Sequence, residues 1–107
     1  MASEVINLVA TLSPQPDKAE ELSFHLAQLT REVNANEPNT LIYHSFHNKA
    51  KNEFVVVEKY KNQAALKAHM ESPYVKAFAS KVGGMMAKPV EIKKGELLPL
   101  SVGVARI

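Results

Sequence analysis

Glu53–Phe78, which reads EFVVVEKYKNQAALKAHMESPYVKAF, is the stretch that decides the fold. Its first part, Phe54–Val57, is an unbroken run of aromatic and β-branched residues, which is typical of a strand covered on both faces. Because side chains alternate along a strand, Glu58 and Tyr60 are predicted to share a face with Val56. A carboxylate and a phenol are therefore expected beside apolar side chains.

Two helices are predicted in the rest of this stretch. Asn62 can cap the first through its side-chain oxygen, and Leu66, His69 and Met70 share one face of it. A second helix is predicted from Ser72-Pro73, because serine is a good N-cap and proline at the first helical position loses only an N–H that has no partner there. The apolar stripe of this second helix consists of Val75, Phe78, Ala79 and Val82.

The order of these residues resembles the antibiotic biosynthesis monooxygenase family of small dimeric α+β barrels. In that family a glutamate ends the third strand and an aromatic residue follows two positions later. A short helix with a histidine then precedes a Ser-Pro helix that ends near a phenylalanine. The corresponding residues here are Glu58, Tyr60, His69, Ser72-Pro73 and Phe78, with Glu37-Pro38 and Tyr43 agreeing upstream. The resemblance covers most of the chain, roughly from Val5 to Leu98.

Composition excludes several classes of protein. Hydrophobic residues make up 46% of the 107-residue chain and charged residues 22%, which is typical of one globular domain, residues 1–107. The net charge of +2 is too small to indicate nucleic-acid binding, and no apolar run approaches the ~20 residues that span a bilayer. Since there is no cysteine, disulfides, thiolate metal sites and cysteine nucleophiles are all excluded.

The two ends of the chain bear on its location. The N-terminal MASEVINLVATL lacks the charged start and the uninterrupted apolar core of a signal peptide, so we expect a cytoplasmic protein. The C-terminal Ala105-Arg106-Ile107 is a loose variant of the Ser-Lys-Leu peroxisomal address. Any small-basic-aliphatic ending would match that address, so peroxisomal import is the less favoured alternative.

Two elements are predicted before the deciding stretch. Glu4–Leu12 alternates imperfectly and is predicted as a strand with both faces largely covered, with Asn7 as its polar exception. Asp17 with Glu20 resembles a capping box. The helix after it carries apolar residues at i, i+4, i+7 and i+11, namely Leu22, Leu26, Leu29 and Val33. This pattern predicts an amphipathic helix of about five turns that ends at Glu37-Pro38.

Two further strands complete the pattern. Thr40–His47 is predicted as the second strand, neither face of which looks fully solvated, and the polar residues 48–52 connect it to the third. Gly83-Gly84 ends the last helix, and Val90–Leu98 forms the final strand, in which Gly95 is a candidate β-bulge. The predicted order β-α-β-β-α-β is that of a ferredoxin-like α+β domain with an antiparallel sheet.

Apolar side chains on both faces of the strands indicate an interaction surface. Helices cover only one face of a ferredoxin-like sheet, and an uncovered apolar face of roughly several hundred square ångströms is typical of a site of association. We therefore expect a homodimer in which two sheets pack face to face as a dimeric α+β barrel. The core domain is expected at about residues 4–98, and the apolar tail 99–107 is expected to contact the partner subunit.

Neither a metal nor an organic cofactor is indicated by the sequence. His44 and His47 face opposite ways on a strand, and His25 lies near the margin of the first helix's apolar stripe, so no pair of histidines has metal-ligand spacing. We expect surface roles for His25 and His47. A dinucleotide fingerprint is absent. In haem-degrading proteins of this fold a tryptophan stands where this chain has His69, and the haem ligand where it has Phe78-Ala79-Ser80, which argues against haem.

His69 is the histidine with two open interpretations. It shares a predicted helical face with Leu66 and so points toward the core, where a histidine commonly just hydrogen-bonds a neighbour. The resemblance adds the alternative that it acts in a reaction. Within an apolar strand Glu58 must find a partner or shift its pKa upward, and we expect it to hold His69 in one tautomer rather than to act directly.

Several other polar residues are also open to more than one interpretation. Asn7 matches the asparagine on the first strand that many relatives use to hydrogen-bond substrate or oxygen, and the alternative is that it ties strand ends together. Tyr43 and His44 face opposite ways, and Tyr43 occupies the position used in the family. Arg31 lies off the leucine stripe and is expected to be solvated. Met70 is expected to fill the core or line a pocket.

The resemblance implies a homodimeric monooxygenase that oxidises a phenolic or quinol-type small molecule with O2 and needs no cofactor. Its implied catalytic residues are His69, as proton acceptor or orienter, and Asn7 and Tyr43, as hydrogen-bond donors. The implied substrate contacts are Glu58, Tyr60, Met70 and Phe78.

Two alternatives stay open beside the monooxygenase. One is an isomerase or proton-transfer enzyme on a small carbonyl compound, which would consume no oxygen. The other is a non-catalytic small-molecule-binding or stress-response barrel, which would hold a ligand without turnover. Fold alone does not choose between them.

Overall fold

The structure, a computed structural model, describes residues 4–96. Its elements are β1 (Ile6–Leu12), α1 (Ala19–Asn36), β2 (Thr40–Asn48), β3 (Glu53–Tyr60), α2 (Gln63–Glu71), α3 (Pro73–Val82) and β4 (Glu91–Gly95), with short 3₁₀ turns at Pro16–Lys18 and Gly83–Met85. The strands form one antiparallel sheet in the order β2-β3-β1-β4. This confirms the ferredoxin-like plan with its divided second helix.

Some predictions fall beyond these residues. The apolar tail 99–107, the ending Ala105-Arg106-Ile107 and the last residues of the predicted final strand lie outside the described part of the chain. Within residues 4–96, no helix has both the length and the apolar character that crossing a membrane requires.

One face of the sheet, here called the helix face, packs against α1, α2 and α3. Every second residue of β3, from Phe54 to Tyr60, is buried there, together with Leu8, Ala10 and Leu12 of β1. The predicted stripe of α1 is buried against them: Leu22, Leu26, Leu29 and Val33. Each buried leucine of this kind stabilises the fold by about 1.5–3 kcal/mol. The core therefore lies between the sheet and the helices.

The opposite face, here called the open face, has no helix over it among residues 4–96. The strand register places Ile42 and Phe46 of β2 on this face beside Val55 and Val57 of β3 and Val9 of β1. Phe46 is 54% exposed and Ile42 39% exposed, while the three valines are half-buried. The open face of β2 is therefore partly exposed in a single chain, which agrees with the prediction that neither face of this strand is fully solvated.

Side-chain caps separate α2 from α3 as predicted. The Asn62 Oδ1 accepts a hydrogen bond from the Ala65 N–H at 2.9 Å, which satisfies a first-turn donor of α2. The Ser72 Oγ accepts one from the Val75 N–H at 3.4 Å, and Pro73 is the first residue of α3.

Two local predictions are wrong. No capping box starts α1, because the chain first makes a 3₁₀ turn that contains Asp17, and the N-cap residue Lys18 makes no side-chain cap. Gly95 is not a bulge, since the β1–β4 register runs without a shift from Thr11 to Asn7. The irregularity lies instead at Leu41 in β2, where the register shifts between Thr40 and Ile42.

Candidate functional site

A buried polar cluster, here called the His69 cluster, lies on the helix face of the sheet. Its members come from β2, β3, α2, α3 and the end of α1: Glu37, Tyr43, Glu58, Tyr60, His69 and Tyr74. His69 is 3% exposed and Glu58 8%, although both are polar. Buried polar groups need hydrogen-bond partners, so the pairing inside the cluster decides what it can do.

Glu37 is the partner of His69. The His69 Nδ1 lies 3.0 Å from Oε1 and 2.9 Å from Oε2 of this carboxylate, which forms the C-cap of α1. The Thr40 Oγ1 donates to Oε1 at 2.6 Å, and the Tyr74 hydroxyl donates to Oε2. An Nδ1–H that donates to the carboxylate leaves the lone pair of a neutral imidazole on Nε2.

Glu58 therefore does not hold His69, and that prediction is wrong. Its Oε1 instead accepts a hydrogen bond from the Tyr60 hydroxyl, two residues along β3 on the same face. Burial raises the pKa of Glu58, and the hydrogen bond from Tyr60 and the nearby His69 lower it only in part. The prediction that Glu58 finds a partner or shifts its pKa upward is confirmed, because it does both.

Two phenol rings pack against the imidazole. The ring centroids of Tyr43 and Tyr60 each lie 5.3 Å from that of His69, at interplanar angles of 51° and 50°. Burial, followed by the charges of Glu58 and Glu37, raises the pKa of Tyr43. Tyr43 is therefore a neutral phenol that can donate a hydrogen bond beside the histidine.

Among the cavities that reach the cluster from outside, two lie along α1. One of about 260 Å³ lies between α1 and β2 and has Glu37 and Tyr43 in its wall. A larger groove of about 450 Å³ lies between α1 and α3 and has Tyr74 and Phe78 in its wall. His69 lines neither of them. The cluster is thus approached through Tyr43, Glu37 and Tyr74 rather than through the imidazole itself.

Two of the predicted site residues lie apart from the cluster. Asn7 is on the open face, opposite Lys59 and Gly95 in the strand register, so the sheet separates it from His69. Its Nδ2 is buried and has no hydrogen-bond partner among residues 4–96. Met70 is 54% exposed on α2, so the prediction that it lies on the buried face is wrong. Each residue advances a helix by about 100°, which turns Met70 away from His69.

The other predicted substrate contacts do lie at or beside the cluster. Tyr60 and Glu58 are hydrogen-bonded within it, and Tyr43 packs on it. Phe78 lines the groove between α1 and α3 and packs against the core.

Sequence reasoning missed Glu37 and Tyr74 as members of the cluster. Glu37-Pro38 was noted only as part of the resemblance and as the end of a helix. A buried histidine needs an acceptor, and Glu37 is a carboxylate next to a proline that ends the helix above it. Tyr74 carried no comparable indication beyond its place in the Ser-Pro helix.

The remaining histidines have local roles. His47 stacks on Phe54 with a centroid distance of 4.0 Å, and its Nε2 lies 3.0 Å from Asn52 Oδ1. The amide of Asn52 donates to the carbonyl of Pro14 at 3.1 Å, which ties the β2–β3 hairpin to the end of β1. Over residues 4–96, no group of three or more potential ligands is arranged to hold a metal ion.

Comparison with known proteins places this chain in a family. Residues 5–81 match the family model "Antibiotic biosynthesis monooxygenase". "Putative monooxygenase YcnE" of Bacillus subtilis is 31% identical over 94 residues, which are 87% of this chain and 98% of YcnE. The Synechocystis protein sll1783 is 33% identical over 93 residues, or 86% of this chain, but the chain spans only 63% of that protein.

Solved structures agree with the fold. An antibiotic biosynthesis monooxygenase-like protein of Caulobacter crescentus is 34% identical, with a TM-score of 0.85 over 90% of this chain and 92% of its own. Rv0793 of Mycobacterium tuberculosis, at 24% identity, has a TM-score of 0.82 over 94% of this chain and 100% of its own, which shows the fold alone. Family and relatives together support a monooxygenase-like role.

Proposed function

The chain belongs to the antibiotic biosynthesis monooxygenase family, and from this we propose that it is a homodimeric monooxygenase that oxidises a phenolic or quinol-type small molecule with O2 and no bound cofactor. The observation that carries the proposal is the pairing of the His69 Nδ1 with the Glu37 carboxylate at 2.9–3.0 Å. This pairing makes Nε2 the proton acceptor of the cluster.

The first step is removal of the phenol proton. In the proposed step the substrate enters past Tyr43, which lines the cavity between α1 and β2 and packs on the imidazole, and His69 then accepts the phenol proton at Nε2. The imidazolium that forms is stabilised by the carboxylate of Glu37 on its other side, as in other histidine–carboxylate pairs. Glu37 is itself held by Thr40 and Tyr74, so the imidazole is oriented before substrate arrives. Glu37 is therefore a positioning residue and His69 the catalytic base.

The second step is reaction of the phenolate with O2. Tyr43, neutral because burial raises its pKa, is the donor that stabilises the electron-rich anion. One oxygen atom enters the ring carbon as the new carbonyl and the other leaves as water, so phenol and O2 give quinone and water. The substrate supplies all the electrons, and no external reductant is needed.

Asn7 has no part in this scheme within one chain, because the sheet lies between it and His69. Glu58 and Tyr60 bond to each other and hold the wall of the site. Phe78, at the edge of the groove between α1 and α3, remains the proposed substrate contact on the outer side. Met70 is left out, since it is exposed on α2.

The homodimer is proposed from the open face. Ile42 and Phe46 are exposed there beside half-buried valines. The buried Nδ2 of Asn7, which lacks a partner among residues 4–96, lies on the same face. Joining two such faces would remove this apolar surface from water and would bury over ~2,000 Å² in total, as in obligate dimers.

Oxygen uptake tests the proposal. The purified protein is expected to consume O2 with one or more members of a phenol and hydroquinone panel. His69→Ala is expected to lower turnover per folded molecule by about 10²-fold or more, because a general base contributes that much. It should also cost about 1–3 kcal/mol of stability, because it leaves the Glu37 carboxylate without its buried partner. His69→Gln is the matched control, since glutamine keeps a hydrogen bond to Glu37 but cannot accept a proton. Full activity in both variants would remove His69 from the site.

The same cluster suits proton transfer alone, because a histidine–carboxylate pair needs no oxygen to move a proton. Turnover of a small carbonyl compound without O2 uptake would replace the monooxygenase with an isomerase. Saturable ligand binding without any turnover would favour a non-catalytic barrel.

A further inference from the structure

The groove between α1 and α3 is a cavity of the size that binds small molecules. Its volume of about 450 Å³ lies in the range of small-molecule sites, which is about 300–1,000 Å³. Leu29, Ala77 and Phe78 give it an apolar wall. Leu29 is 5% exposed and Phe78 packs against the core, so this wall is rigid. Such a wall suits a flat apolar body.

The rim of the groove carries positive charge that has no ion-pair partner within residues 4–96. Arg31 from α1 and Lys81 from α3 line the same cavity, and both are exposed. The one lysine–carboxylate or arginine–carboxylate ion pair found within residues 4–96 is Lys18–Glu21, so neither cation is paired there, even with Glu32, which also lines the groove. An anionic group would meet a guanidinium and an ammonium from opposite helices.

We infer that this groove is a binding site for a small aromatic carboxylate. The ring would lie against Leu29 and Phe78, and the carboxylate would bind between Arg31 and Lys81. Arginine matches a carboxylate with two parallel N–H donors, and lysine adds a point charge. The inference goes beyond the proposed function, because it requires neither O2 nor turnover.

Tyr74 connects the groove to the His69 cluster. Its side chain lines the groove, and its hydroxyl donates to the Glu37 carboxylate that holds His69. Burial, and then the bond to Glu37, raises the pKa of Tyr74 to about 12, so it stays a neutral donor over the working range of pH. A ligand that moves Tyr74 would alter its hydrogen bond to Glu37, which is the carboxylate that accepts from the His69 Nδ1–H. Binding in the groove is therefore expected to change the environment of His69.

Amide NMR titrations of the full chain test the site with two probes of the same shape. The probes are benzoate, which is charged, and benzamide, which is not, and neither is a phenol of the proposed substrate class. We expect saturable shifts at groove residues with the benzoate and at least about tenfold weaker binding of the amide, the size of a charge-assisted hydrogen bond. Equal affinity for the two probes, or shifts that map away from the groove, would overturn the inference.

Substitutions of exposed cations distinguish a direct contact of Arg31 and Lys81 with the carboxylate from a general effect of the protein's charge. Arg31→Gln and Lys81→Gln are each expected to weaken benzoate binding by about tenfold and to leave amide binding unchanged. Lys76→Gln, an exposed lysine of the same helix that does not line the groove, is the matched control and should change nothing. Unchanged benzoate affinity in both groove variants would contradict the site, as would an equal loss in the control.

The connection to His69 has its own measurement. Benzoate binding is expected to shift the ring proton signals of His69 in the natural chain and not in Tyr74→Phe, which keeps the ring in the groove but loses the bond to Glu37. These experiments measure binding and not turnover, so their outcome is independent of the oxygen-uptake test. A chain that oxidises no substrate could still bind the benzoate.

Discussion

The helix face and the open face of the sheet are built from similar side chains but differ in what covers them. On β3, Val56 is 2% exposed against the helices, while its neighbour Val57 is half-buried with no helix over it. On β1, Leu8 is buried and Val9 is half-buried. Alternation along a strand separates two faces, but when both are apolar it does not say which one the chain covers itself.

The chemistry divides between the faces in the same way. Glu58 and Tyr60 lie on the helix face, where helices exclude water and bring His69 against them. Lys59 lies on the open face, opposite Asn7. Burial shifts pKa values and orients hydrogen bonds only on the covered face, so the candidate site is there.

The largest expected effect is from a charge on the helix face. Val56→Asp should lower the free energy of unfolding by about 3 kcal/mol or more, because it buries a carboxylate with no partner. Val57→Asp is the matched variant one residue along the strand and should cost much less within a single chain, because no helix covers Val57. The proposed dimer would bury Val57 as well, so the cost of this variant should depend on protein concentration, while that of Val56→Asp should not. Urea denaturation over a series of protein concentrations measures both, and equal losses at every concentration would mean that a single chain buries the two faces equally.

The next largest effect is expected on dimer formation, and two similarly exposed phenylalanines, one on the open face and one on α1, provide a matched comparison. Phe46 on the open face is 54% exposed and Phe24 on α1 is 56% exposed. Phe46→Asp is expected to convert the proposed dimer to monomer, because it places a charge in the joined faces, while Phe24→Asp should leave the mass unchanged. Light scattering at micromolar concentration decides the outcome. A natural chain that is already a well-folded monomer would end the dimer proposal.

The smallest expected effect is a pH dependence at Glu58. Its pKa is raised in the folded chain above its usual 4.5, so the folded state holds this proton more tightly than the unfolded state. The stability that this contributes is present below about pH 4.5 and is lost as pH rises through the folded pKa. The natural chain should therefore lose stability relative to Glu58→Gln as pH rises from 4.5.

Tyr60→Phe sharpens that measurement. The Tyr60 hydroxyl lowers the pKa of Glu58, so removing it should raise that pKa further and extend the loss of stability to higher pH. Thermal melts over a pH series measure both variants. A natural chain that gains stability relative to Glu58→Gln over this range would show the opposite sign of shift.

Much of the fold could be predicted because it depends on patterns of residues that are close together in the sequence. The leucine stripe of α1, the caps at Asn62 and Ser72 and the β3 alternation all act within a few residues, and the structure has them as predicted. The errors occurred where neighbouring residues favour different local structures. A proline-led turn displaced the predicted capping box at Asp17, and the strand register shifts at Leu41 rather than at Gly95.

The partner of His69 could not be predicted locally. Glu58 and Glu37 are both carboxylates near the end of an element, and Glu58 is closer in sequence. The hydrogen bond goes to Glu37, 32 residues away, because α1 ends over the β3–α2 connection, while Glu58 is taken by the adjacent Tyr60. The position of Asn7 could not be predicted locally either, since only the register of the sheet places it on the open face, away from His69.

The sequence by itself determined the elements, their order, the buried face of α1 and the membership of His69, Glu58, Tyr60 and Tyr43 in a buried polar set. Tertiary structure decided which carboxylate holds the imidazole, that Tyr74 joins it, and that Asn7 and Met70 stand apart. The physical reason is range: periodicity, caps and propensity act over a few residues, whereas a buried polar group takes whichever partner the packing of distant elements brings within about 3 Å.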